Sequence, residues 1–122
     1  MSKSFFDLFI WKRAHSFVLK LYKITHSFPK EETYGIISQM RRAGVSISSN
    51  IAEGFSRFGK KEKVQFLYMS LGSVTECQNL IFISRDLAYI TSDLFTQLMD
   101  DSIEIAKLIN SSITSFKAAV RK

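Results

Sequence analysis

Residues 41–54, Arg-Arg-Ala-Gly-Val-Ser-Ile-Ser-Ser-Asn-Ile-Ala-Glu-Gly, carry a helical period but place small side chains where a core helix would carry Leu or Ile. With Ile37 at zero and about 100° per residue, Met40, Gly44, Ile47, Ser48 and Ile51 fall in one arc. Gly44, Ser48 and Ala52 share that stripe, so a neighbouring backbone can approach this helix closely. Arg41 lies beside Ser48 inside the same arc. A guanidinium on an apolar stripe must be paired, or it must face a partner.

The breaks in the chain define the helices around this segment. Pro29 is the only proline among 122 residues, and its ring disfavours helix at Phe28, so a first helix ends near His26. Gly54 suits a left-handed C-terminal cap, and Gly59 helps the turn that follows. Tyr89-Ile-Thr-Ser-Asp93 forms a third break, with Thr91 or Ser92 positioned to cap a last helix and Asp93 at the positive end of its dipole. Short connections between four long helices predict an all-α, up-down four-helix bundle. Residues 1–122 have the length of one domain with one core.

The apolar arcs differ in width. The last helix is one-sided, with Leu94, Phe95, Leu98, Ile105, Ile109, Ile113 and Phe116 together and Asp100, Glu104 and Lys107 opposite. In the first helix Trp11, Ala14, Val18 and Tyr22 form the centre of an arc of about 220°, flanked on one side by Ile10, Phe17, Leu21 and Ile24. The third helix pairs a face of Phe66, Leu67, Val74, Cys77, Leu80 and Ile81 with a flank of Val64, Tyr68 and Leu71. A bundle hides one stripe per helix, and surplus apolar surface is penalised by roughly 25 cal/mol per Å². Self-association is therefore expected. Ile10, Phe17, Leu21, Ile24, Val64, Tyr68 and Leu71 are its candidate interface, joined as two unlike patches of the kind that closes a ring.

The charge is uneven. The net charge is +6, and residues 1–30 hold six basic side chains against one acidic. Lys12, Arg13, Lys20 and Lys23 fall within about 100° opposite Trp11, a stripe suited to phosphates. Phe9 lies in the same sector and is placed to stack on a base. Arg42, Ser46, Ser49 and Glu53 form a ridge, and Arg42 and Glu53 are about 16 Å apart along the axis, too far to pair directly. With Asn50 they are expected to set bundle registry and interface geometry, finding partners such as Glu76 or Asp86 on the third helix or the charges of a neighbouring subunit. Arg41 is the arginine expected to touch an external anion.

Catalytic and metal chemistry find little support. His15 and His26 are eleven apart and build no two-histidine metal face, and no carboxylate with His at i+3 marks a diiron bundle. The serines lack a nucleophile-elbow pattern, and Glu53-Gly-Phe-Ser-Arg-Phe-Gly59 lacks the strand that precedes a phosphate-binding loop. Cys77 is the only cysteine, which rules out an internal disulfide and suits a reducing compartment. Asp7, Lys12 and Arg13 interrupt the N-terminal apolar residues, leaving neither a signal-peptide core nor a membrane span. A cytoplasmic, non-enzymatic protein without metal or cofactor is expected.

Four segments in order carry a resemblance. They are Trp11-Lys-Arg-Ala-His15, Phe28-Pro-Lys-Glu-Glu32, residues 41–54, and Phe66-Leu-Tyr-Met-Ser-Leu-Gly-Ser73. Over roughly residues 8–90 the chain resembles the bacterial four-helix-bundle proteins encoded within 23S ribosomal RNA intervening sequences. Ser48 stands where those proteins usually carry proline, and Gly44 where they carry alanine. The resemblance implies an up-down bundle, a ring of subunits with five copies, and relatives that act as nucleic-acid-binding accessory proteins of diversity-generating retroelements. The function expected is weak, largely nonspecific binding of RNA or DNA by a homo-oligomer, as an accessory to another protein. The alternative is a structural or protein-interaction module with no nucleic-acid role.

Overall fold

The computed structural model describes residues 4–120. The described residues form four helices and no strands: α1 (Phe9–Thr25), α2 (Ile36–Ser56), α3 (Lys60–Asp86) and α4 (Ser92–Val120). Single 3-10 turns precede α1 (Phe5–Asp7) and α2 (Lys30–Glu32). Each helix packs on the next and α4 closes on α1, whereas the backbones of the diagonal pairs come no closer than 8 Å between Cα atoms. Contacts between Arg41 and Thr25, Lys63 and Phe55, and Gln78 and Ser102 show that successive helices run antiparallel. No described helix is long and apolar enough to cross a membrane.

Of the small residues expected on the close face of α2, Gly44 fills that role, while Ser48 donates to the Val45 carbonyl of its own helix at 3.1 Å and Ala52 is half-buried. A Cβ on Gly44 would stand 2.8 Å from Leu21 Cδ1, so α1 lies against α2 at that point. On the other side Ser70, fully buried in α3, donates a 2.8 Å hydrogen bond to the Ile47 carbonyl, and the Ser73 hydroxyl meets that of Ser46 at 2.8 Å. Hydroxyls of this kind let two backbones approach while every polar group keeps a partner. Met40, Ile47, Ile81, Leu98, Ile105 and Ile109 fill the space between the four helices.

Two expectations change. Gly54 is a buried residue inside α2, and no glycine has positive φ. Its role is steric: a Cβ there would lie 3.0 Å from Phe66 Cβ, so α2 continues through Gly54 and stops at Arg57. The broad arcs are also used within one subunit. Phe17, Leu21 and Val64, expected at an oligomer interface, are 2%, 0% and 8% exposed. The α1 arc divides between α2 and α4, so its true centre is Ala14, Phe17, Val18, Leu21 and Thr25. Ile10, Ile24 and Leu71 are half-buried against the core, while Tyr68 remains exposed.

The third break is a Schellman turn. Tyr89 N–H donates to the Ser84 carbonyl at 2.8 Å and Ala88 N–H to the Arg85 carbonyl at 2.9 Å. Ala88 takes the left-handed conformation, with φ 62°, where a Cβ costs about 1–2 kcal/mol. Thr91 then caps α4 by accepting the Leu94 N–H at 3.1 Å. Ala88→Gly is expected to raise stability by about 0.5–1 kcal/mol after the entropy of the unfolded glycine is subtracted. A urea midpoint that falls would contradict this assignment.

Candidate functional site

The basic stripe of α1 does not point outward as a unit. Arg13 forms an ion pair with Glu104, and Lys20 Nζ lies 2.6 Å from Asp101 Oδ2. Positions 13 and 20 are two turns apart, and Asp101 and Glu104 lie three apart on α4, so two ridges face each other across the α1–α4 groove. These pairs are part-exposed and contribute roughly 0–1 kcal/mol each, but they give two of the stripe's cations a carboxylate partner within the chain. Lys12 and Lys23 are exposed and form no ion pair among the described residues. Phe9 is exposed near the start of the helix.

Arg41 also has an internal role. Its Nε donates to Thr25 Oγ1 at 2.9 Å, its Nη2 donates to the Tyr22 carbonyl at 3.3 Å, and its guanidinium lies 4.6 Å from the centre of the Tyr22 ring. Thr25 is fully buried and passes the interaction on by donating to the Leu21 carbonyl at 2.7 Å. An arginine of α2 therefore satisfies the carbonyl end of α1, where positive charge suits the helix dipole. The partner that the apolar arc demanded lies inside the chain.

The polar ridge of α2 meets α3 only through Ser46 and Ser73, and its other contacts are local. Asn50 Nδ2 donates to the Ser46 carbonyl at 2.9 Å, and Glu53 pairs with Arg57 at 3.1 Å on an exposed surface. Arg42 is exposed and reaches neither Glu76 nor Asp86; Asp86 instead accepts from Arg85 at 2.9 Å. The ridge contains no buried ion pair.

Sequence reasoning passed over two features. The first is the turn Arg57-Phe58-Gly59-Lys60-Lys61, taken only as a break, in which Phe58 is fully exposed. Its signal was an aromatic residue set among basic ones. The second closes the opposite end of the bundle. Tyr89 donates to Glu32 Oε2 at 2.8 Å while Glu32 Oε1 accepts the Ile36 N–H at 3.3 Å, and the Phe28 and Tyr89 rings lie 5.2 Å apart. Hydrogen bonding to Glu32, then burial and the charges of Glu32 and Glu31, raise the Tyr89 pKa.

An apolar cavity of about 320 Å³ is lined by Leu8, Ile10, Ile51, Phe55, Leu67 and Phe116. Lys63 at its edge donates to the Phe55 carbonyl at 2.8 Å and thereby caps α2, and burial lowers its pKa. The described residues contain no group of three His, Cys, Asp or Glu side chains able to hold a metal ion. Cys77 is fully buried, and burial, reinforced by Glu76, pushes its pKa up to about 12.

The sequence profile of the 23S rRNA-intervening sequence protein family matches residues 6–111. The chain belongs to this family. A crystal structure from Bacteroides thetaiotaomicron, described as a protein of unknown function from the S23 ribosomal protein family, shares the fold with a TM-score of 0.77. The two sequences are 23% identical, and the match covers 85% of this chain and 97% of the other. No curated protein matches.

In this 23S rRNA-intervening sequence protein, Arg41→Met is expected to lower stability by about 1.5–3 kcal/mol, the usual worth of hydrogen bonds to a charged group. Chemical denaturation measures it. An unchanged midpoint would show that Arg41 does not hold the end of α1.

Proposed function

We propose that this protein is a non-enzymatic bundle that assembles with copies of itself in the cytoplasm and binds RNA or DNA weakly and without sequence preference, as an accessory to another protein. The observation that carries the reading is the set of cations without a carboxylate partner. Lys12, Lys23, Lys30, Arg42, Lys60, Lys61, Lys107 and Lys117 are all exposed and outside the ion pairs of the described residues. Phosphate contacts from such side chains give affinity that falls with salt and carries little sequence information.

Assembly rests on the apolar surface that the monomer leaves uncovered. Leu19 and Tyr22 of α1 and Tyr68 and Met69 of α3 are exposed, which moves the proposed contact faces outward from Phe17, Leu21 and Val64. Two unlike faces favour a closed ring, and five copies, the number implied by the family resemblance, is the arrangement we favour. Repetition of Lys12, Lys23 and Arg42 around a ring would strengthen polyanion binding through avidity. The same exposed apolar residues also support a second reading, a protein-interaction module with no nucleic-acid role.

Light scattering is expected to give a mass several times the 14.0 kDa of one chain. Wild-type protein should retain RNA or DNA at low salt, and Lys12→Glu with Lys23→Glu should reduce the slope of log affinity against log salt by about two while leaving the mass unchanged. Absence of nucleic-acid retention at low salt, with assembly intact, would favour the second reading. A single 14.0 kDa particle at micromolar concentration would remove the assembly.

A further inference from the structure

The α2–α3 turn carries a feature that the fold does not explain. Phe58 is 103% exposed, so its ring packs on nothing. Burying a phenylalanine is worth roughly 1.5–3 kcal/mol, and none of that is gained here. Gly59 already provides the residue at the start of α3, so a polar side chain at position 58 would serve the turn equally well.

The charges around Phe58 fall into two groups. Arg57 is held by Glu53 and lies 4.8 Å over the Phe66 ring, and Lys63 is bent back onto the end of α2. Lys60 and Lys61 are exposed and make no ion pair among the described residues, and Glu62 beside them is exposed as well. Both lysines occupy the first turn of α3, where the helix dipole disfavours positive charge. Neither helix stability nor pairing accounts for them. Phe58 is thus a lone aromatic ring with two free ammonium groups following it in the chain.

We infer that this turn is a contact point for single-stranded nucleic acid, with Phe58 stacking on an unpaired base and Lys60 and Lys61 holding the adjacent phosphates. The inference rests on the nucleic-acid reading above and assigns it a surface and a strandedness. A base stacked on an aromatic side chain is worth about 1–3 kcal/mol whatever its identity. In a duplex the faces of the bases are already stacked on each other, so an isolated exposed ring selects unpaired segments. An apolar protein partner would call for a continuous greasy patch, whereas Ser56, Arg57, Gly59 and Lys60 surround Phe58 in the chain.

Fluorescence anisotropy with a labelled 20-nucleotide uridine strand and a labelled RNA duplex of the same length tests the assignment on the full chain. Wild type should favour the single strand. Phe58→Ala should weaken single-strand binding about tenfold or more, leaving duplex binding, the salt slope and the helical circular dichroism unchanged. Lys60→Gln with Lys61→Gln should lower the single-strand salt slope by about 1.4, and Phe58→Trp should retain affinity with its emission quenched by the stacked base. Wild-type binding that Phe58→Ala leaves intact would overturn the inference while the nucleic-acid reading stands. Failure of the wild type to bind either probe at low salt would overturn both.

Discussion

The close approach of α2 to both of its neighbours is the constraint on which the other contacts depend. Gly44 leaves room for Leu21 of α1, and Gly54 leaves room for Phe66 of α3. Between these positions Ser70 reaches the Ile47 carbonyl in the dry interior. Small side chains at helical spacing remove the usual standoff between helices, and buried hydroxyls keep the interface free of orphaned polar groups. Because α2 sits so near α1, the guanidinium of Arg41 spans to Thr25 and the Tyr22 carbonyl. Lys63 does the corresponding work between α3 and the end of α2. The ends of α1 and α2 are thus each finished by a cation from the next helix in sequence.

Four helices and their breaks were legible because each rests on local rules. Pro29 ends α1, Thr91 caps α4, and the period of the last helix locates its buried side. Gly54 misled because a glycine near a helix end serves equally as a left-handed cap or as a point of close contact, and only the position of Phe66 separates the two. Phe17 and Leu21 read as outward-facing on the wheel for a related reason. A helical wheel gives angles about one axis but not the directions in which the neighbouring axes lie, so the centre of a broad arc is ambiguous.

The functional residues were less legible because their partners are distant in sequence. Arg13 and Lys20 look free until α4 brings Glu104 and Asp101 against them, some 90 and 80 positions later. Arg41 was recognised as misplaced from its own helix, but its partner belongs to the end of α1. Phe58 presents the opposite case, since its basic sequence neighbours also suit an ordinary turn and its complete exposure is what sets it apart. Internal contacts engage Arg13, Lys20 and Arg41, whereas Lys12, Lys23, Lys30, Arg42, Lys60, Lys61, Lys107 and Lys117 are exposed and outside the ion pairs of the described residues. The positive charge of the family member is therefore divided between holding helices together and facing solvent.

Native-state hydrogen exchange, resolved by segment, tests the organising role of α2 most directly. Amides of residues 43–51 should exchange only through global unfolding, with an opening free energy equal to that from denaturant titration, while those of the outer turns of α1 and α4 open at lower cost. Exchange of the α2 segment through a local opening that leaves α4 protected would contradict the account.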